Sequence, residues 1–168
     1  MKYLFILGRN ILLSVAELRS FFARTENKIL NESLKENGFL VELENTLDAD
    51  AINFLGGTIS IGIVICEINE LDKKEIYLGE KNNFSYALWD FSERTEEVSA
   101  YLKKRFRYEK YKASEKKLNF LKLQDGETAQ NVSSNVHEEY FVYDNFFGKI
   151  VQNLKTQNFM IFIILGSR

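Results

Sequence analysis

The chain has 168 residues, of which 45% are hydrophobic and 27% charged, with 14% aromatic and a formal net charge of −2. That length suits one ordinary domain or two very small ones, and the apolar content is ample for a packed core. One cysteine (Cys66) and no proline exclude an internal disulfide, a thiol-rich zinc site and any catalytic loop built on consecutive prolines.

No apolar run approaches the roughly 18 residues of a membrane span. Tyr3–Leu7 is too short for the core of a secretory signal. A cytoplasmic protein with no membrane contact is the expectation. Nucleotide-binding and hydrolase signatures are also missing: there is no Gly-x-Gly-x-x-Gly turn, no Gly-x-Ser-x-Gly elbow and no Gly-x-x-x-x-Gly-Lys-Ser/Thr loop. Cys66 sits inside Ile61-Gly62-Ile63-Val64-Ile65-Cys66 and reads as a buried strand residue. The single histidine, His137, has only Glu138 and Glu139 beside it and reads as exposed or hydrogen-bonded rather than as a ligand.

Residues 2–8 are a short run of β-formers ending at Gly8. Ser14-Val15-Ala16-Glu17 then matches a capping box, followed by an apolar stripe of Val15, Leu18 and Phe22 at helical spacing to about Arg24. Strands are predicted at 28–31 and 39–43, a second helix capped by Asp48 over 49–55 and stopped by Gly56-Gly57, and a long β-branched strand at 58–68. Strand, helix, strand, strand, helix, strand in some 70 residues is the split βαβ, or ferredoxin-like, arrangement. Residues 71–83 are charged and read as a join. Residues 84–89 form a strand, and a helix begins near Ser92 with Glu93, Glu96 and Glu97 at its positive end. On that helix Val98, Leu102 and Phe106 line up as a buried stripe. A strand follows at 118–123, then a polar loop or short helix at 131–137. Residues 139–143 and 149–154 form a hairpin about a turn at 144–148. Residues 159–168 are an apolar stub.

Charge is distributed unevenly. Residues 99–124 hold nine basic and two acidic side chains, a local net of +7 in a chain whose total is −2. Tyr101, Phe106, Tyr108, Tyr111 and Phe120 are interleaved with them. A basic patch with aromatics grips phosphates and offers faces for base stacking. The plain alternative is a solvated helix face balanced by Glu109 and Glu115.

Several segments together resemble the N-terminal half of the THUMP-containing tRNA guanine-N2 methyltransferases that modify the guanosine at the tenth position of tRNA. The likeness rests on Tyr3-Leu4-Phe5-Ile6-Leu7-Gly8-Arg9-Asn10 with Leu13–Leu18, and on Leu55-Gly56-Gly57-Thr58-Ile59-Ser60-Ile61-Gly62. Phe84-Ser85, the strand near Phe120, Val132-Ser133-Ser134, Val151-Gln152 and Gln157-Asn158-Phe159 are similar to later parts of that half. Ile11 stands where the family often has proline, and the methyltransferase domain with its Pro-Pro loop is missing. The resemblance implies an α+β protein: a ferredoxin-like unit over 1–70, a linker over 71–83, a THUMP-like RNA-binding module over 84–158, and a stub at 159–168 towards a catalytic domain. It implies binding to the acceptor stem and 3′ end of tRNA and no catalysis by this chain alone. S-adenosylmethionine would enter only with a catalytic domain or partner subunit. Lys103, Lys104, Arg107, Lys110 and Lys112 would meet phosphates, Lys116, Lys117, Asn119 and Lys122 would continue the track, and Ser133 and Ser134 would donate to phosphate or 2′-OH. The alternative is an interaction or dimerisation module that docks a separate catalytic subunit.

Overall fold

The structure, a computed structural model, describes residues 1–122, 128–132 and 136–153. The predicted residues at 123–127, at 133–135 (with Ser133 and Ser134) and in the stub at 159–168 lie outside the described residues. The chain opens with β1 (Lys2–Leu7), α1 (Ile11–Arg24), β2 (Ile29–Lys35) and β3 (Gly38–Leu43), followed after a 3-10 turn at Ala51–Phe54 by β4 (Thr58–Glu67). β1 lies between β3 and β4, antiparallel to both, and β2 flanks β3. The resulting order β2-β3-β1-β4 is the predicted ferredoxin-like arrangement.

Two local expectations are corrected. The helix predicted over 49–55 is only a four-residue 3-10 turn. Asp48 accepts the Asp50 N–H at 3.0 Å, and the Gln152 side chain accepts from Ile52 N at 3.3 Å and donates to Ala49 O at 2.8 Å. A segment this short cannot recover the cost of helix nucleation, so the turn is held by outside partners.

Nor is Ser14 the cap of α1. The helix starts at Ile11, and the Asn10 side chain accepts from Leu13 N at 3.1 Å. Ser14 is buried within the helix and donates to Asn10 O at 2.7 Å. Glu17 turns away from its own helix and accepts the N–H groups of Gly56 and Gly57 at 2.9 and 2.8 Å. Gly57 must be glycine here, because any side chain would strike Ser14.

The second half contains a 3-10 turn at Ile68–Lys73, β5 (Asn83–Phe91), α2 (Thr95–Tyr108), β6 (Lys112–Lys116), β7 (Leu118–Lys122), β8 (Thr128–Val132), β9 (Glu138–Tyr143) and β10 (Phe146–Asn153). β5 is parallel to both β6 and β9, and β10 pairs antiparallel with β9 and β4. One eight-stranded sheet therefore runs β2-β3-β1-β4-β10-β9-β5-β6, with β7 and β8 forming a separate two-stranded sheet. Asn131 and Val132, expected in a loop or helix, are strand residues, because they complete the ladder against β7. The hairpin turn expected over 144–148 is reduced to Asp144-Asn145, with Asp144 at φ 49°.

Residues 71–83 are not a solvated link. Leu71, Ile76 and Tyr77 are buried in one cluster with Phe84, Tyr86 and the predicted stripe Val98, Leu102 and Phe106. Tyr77 stacks on Phe84 with ring centroids 3.9 Å apart. The charges fall in two runs, Asp72–Glu75 and Glu80-Lys81, which stay exposed while Leu71, Ile76 and Tyr77 between and beside them pack inward.

The sheet is rolled. Tyr143 on β9 donates to Ser33 Oγ on β2 at 3.0 Å, and Lys35 pairs with Asp144, although four strands separate β2 from β9. A Cβ on Gly38 of β3 would come within 2.6 Å of the Phe91 ring of β5. The concave face holds Leu4, Ile6, Trp89, Phe91, Phe141 and Tyr143, whereas α1 and α2 cover the other face with separate cores. Phe141 lies over two glycines, Gly62 on β4 and Gly148 on β10. Cys66 is buried, as expected, and desolvation pushes its thiol upward, away from nucleophilic use.

Gly62→Ala is expected to cost about 1–3 kcal/mol in urea unfolding, through overpacking against Phe141. Gly56→Ala, whose added Cβ meets only Glu17 Oε1 at 3.5 Å, should stay within about 0.5 kcal/mol of the parent. Burial also raises the phenols of Tyr86, Tyr140 and Tyr143, the last to about 12. Their neutral forms stabilise the fold fully below the ordinary tyrosine pKa of about 10, and this contribution is lost as pH rises towards the raised value. Tyrosinate absorbance from these rings should therefore appear together with loss of the circular dichroism signal, and earlier titration of all eight tyrosines would contradict their burial.

Candidate nucleic-acid interface

Helix α2 carries Glu96 and Glu97 in its first turn and Arg105 and Arg107 in its last, which matches the macrodipole. Arg94 pairs with Glu97 at 2.9 Å, and this hydrogen bond holds the Glu97 carboxyl below its usual range. The helix starts at Thr95, three residues after the predicted Ser92. Thr95 Oγ1 donates to Asp90 Oδ1 at 2.6 Å, while the Ser92 hydroxyl donates to Asp144 O at 2.7 Å.

The basic residues divide into structural and exposed groups. Arg105 is structural: its guanidinium donates to Leu71 O and Lys74 O, both at 2.5 Å, and to Glu109 at 2.9 Å. It thereby ties α2 to the segment that covers the core. Lys103 pairs with Glu115 at 2.9 Å, and Glu115 also accepts from Ser99 Oγ at 2.6 Å. Lys104, Arg107, Lys110, Lys112 and Lys116 are exposed, and among the described residues none of them forms an ion pair. Lys117 is exposed between β6 and β7, and Asn119 and Lys122 lie on β7.

The end of α2 closes with Tyr111 N–H on Phe106 O at 2.8 Å and Lys110 N–H on Arg107 O at 3.1 Å. This Schellman pattern places Lys110 in the left-handed region at φ 65°, where glycine is usual. Its ammonium accompanies Arg107 at the negative end of the helix. Beyond it, β6 alternates. Ala113 packs against the α2-side core and Glu115 faces the helix, so Lys112, Ser114 and Lys116 project from the opposite face.

The aromatics sort as clearly. Tyr111 packs edge-on against Tyr77, Phe84 and Phe106, which removes it from stacking on a base. Phe106 is core, and Tyr101 is half-buried beside Arg105. Tyr108 is 88% exposed, next to Arg107.

Sequence reasoning missed the role of Glu115, whereas His137 is exposed and hydrogen-bonded as expected. Glu115 looked like a counter-charge on the helix surface but is a buttress between helix and edge strand, and the period-2 spacing of Ala113 and Glu115 was the signal. His137 is paired with Ser85, accepting its N–H on Nδ1 at 3.1 Å and donating its own N–H to Ser85 O at 2.9 Å. The backbone N–H can only donate, so in the neutral ring the proton resides on the exposed Nε2. Among the described residues no cluster of three or more His, Cys, Asp or Glu could hold a metal, and no helix is long and apolar enough to cross a membrane.

Arg105→Gln should lower stability by about 1.5–3 kcal/mol in urea, because two carbonyls and Glu109 lose a charged donor. Lys104→Gln should change it by less than about 0.5 kcal/mol.

No family model and no curated protein sequence matches the chain. Among solved structures it is similar to PH1313 from Pyrococcus horikoshii Ot3, with a TM-score of 0.47 and 12% identity over 90% of this chain and 54% of that one. This chain thus spans about half the length of that protein.

Proposed function

We propose that this chain binds tRNA, holding the acceptor stem and 3′ end as the recognition half of a THUMP-type guanine-N2 methyltransferase. The reading divides the chain as the resemblance does, with a ferredoxin-like unit followed by a THUMP-like module. The observation that carries it is the set Lys104, Arg107, Lys110, Lys112 and Lys116, exposed about one helix end and one edge strand and without ion pairs among the described residues. A fold that gains no internal ion pair from five cations on one region gains affinity for an external polyanion. Phosphate contacts of this kind release counterions, so affinity falls steeply with salt and carries little sequence information. Tyr108 supplies a face for a splayed base, worth about 1–3 kcal/mol.

The chain does not supply the chemistry. The connection from β5 into α2, Ser92-Glu93-Arg94, has no glycine, and an acidic first turn follows it. These residues do not fit an S-adenosylmethionine pocket, and methyl transfer is assigned to a separate domain or subunit.

Fluorescence anisotropy with a tRNA transcript tests the reading. Binding should weaken with salt and on removal of the single-stranded 3′ end. Arg107→Glu with Lys110→Glu should reduce affinity at least tenfold while the unfolding midpoint is retained. Unchanged affinity in that variant would refute the role of this surface.

A further inference from the structure

We infer that Glu115 makes an autoinhibitory contact: its carboxylate fills a phosphate-type cradle of Lys103 and Ser99 on α2 and withholds it from a polyanion. The inference rests on the RNA-binding reading above and concerns the regulation of that surface. Three donors converge on one oxygen, Glu115 Oε2. They are the Lys103 ammonium at 2.9 Å, the Ser99 hydroxyl at 2.6 Å and the Tyr86 hydroxyl at 3.5 Å. An ammonium and hydroxyls gathered about a single anionic oxygen are also the donor set that holds a phosphate oxygen.

The cradle adjoins the exposed cations. Ser99, Lys103 and Arg107 stand four residues apart on α2, so they form one stripe along the helix. Arg107 forms no ion pair among the described residues, and Lys110 follows it at the helix end. A phosphate chain lying on Arg107 therefore meets Lys103 about 6 Å further along the helix. A carboxylate already sits there.

Exposure makes the contact displaceable. The Lys103 side chain is 58% exposed, whereas that of Glu115 is 23% exposed and reaches it from β6. Ion pairs exposed to this degree stabilise a fold little, because solvent screens them and two side chains lose freedom. Their effect on a polyanion is larger: Glu115 places a negative charge beside the cations and takes Lys103 from them. The competing account makes Glu115 a buttress between α2 and β6 and nothing more. A buttress predicts that neutralising Glu115 lowers stability and brings no gain in RNA affinity.

The test is a double-mutant cycle on the full chain, read by fluorescence anisotropy with a tRNA transcript over a salt series. Glu115→Gln removes the charge but keeps an acceptor for Ser99. It should raise affinity roughly two- to fivefold. The slope of log affinity against log salt should steepen by about 0.7–0.9, the value of one added phosphate contact. In the Lys103→Gln background the same substitution should bring only a minor part of that gain and no change of slope. Lys103→Gln alone, at an exposed position, should leave the parent's slope unchanged, whereas Arg107→Gln should lower it by about 0.7–0.9. That comparison stands even where Glu115→Gln lowers the urea unfolding midpoint. Unchanged or weaker affinity in folded Glu115→Gln, an equal gain in both backgrounds, or a slope lowered by Lys103→Gln alone overturns the autoinhibition and leaves the RNA-binding reading intact. Failure of the parent and of Glu115→Gln alike to bind any RNA overturns both.

Discussion

The ladder between β4 and β10 determines the rest of the architecture. β10 reaches from Phe146 to Asn153 along β4 while also pairing with β9, so one strand joins a ferredoxin-like sheet to a second, mixed sheet. Its register breaks twice, between Phe147 and Gly148 and between Ile150 and Gln152. Bulges increase local twist and bend a strand. A sheet bent at its middle strand curls, and this one curls until Tyr143 reaches Ser33 and Phe91 reaches Gly38. The glycines at 62 and 148 are part of the same device, because they let the Phe141 ring lie on the bent backbone.

Curling has a consequence for charge. The β2 end of the sheet folds towards the β9–β10 turn, where Lys35 meets Asp144 and Lys2 lies over the Phe146 ring at 4.0 Å. The β6 end has no such partner in the sheet. Among the described residues β6 pairs with β5 and lies beside α2, and the exposed cations collect there. The acidic residues that might have neutralised them are already engaged: Glu115 holds Lys103 and Ser99, and Glu109 holds Arg105. The structural ion pairs brace the helix against its surroundings, and among the described residues Lys104, Arg107, Lys110, Lys112 and Lys116 form no ion pair.

Burial also disfavours ionisation of several reactive groups. The three large aromatic phenols, Tyr86, Tyr140 and Tyr143, are desolvated, and Cys66 lies in the α2-side core. Glu138 is buried as well but is met by Lys149 at 2.5 Å, a pair whose separation would leave an uncompensated charge inside.

What the sequence determined by itself was local and periodic. The stripe Val98, Leu102 and Phe106, the β-branched run of β4 and the order of strands and helix in the first unit follow from spacings of 3.6 and 2, which act within a few residues. The concentration of cations at 99–124 is likewise a matter of counting. Tertiary structure alone decided the partners. Ser14 and Glu17 have the spacing of a capping box, but Asn10 caps the helix and Glu17 serves Gly56 and Gly57, because a carboxylate takes whichever unsatisfied N–H groups packing brings to it. Residues 71–83 have the charge of a linker, but Leu71, Ile76 and Tyr77 within them pack into the core. The nine basic residues are one cluster in sequence, but packing consumes Arg105 and Lys103 and distributes others over two faces of β6. Which charges remain free depends on contacts between residues tens of positions apart, and no local pattern encodes that.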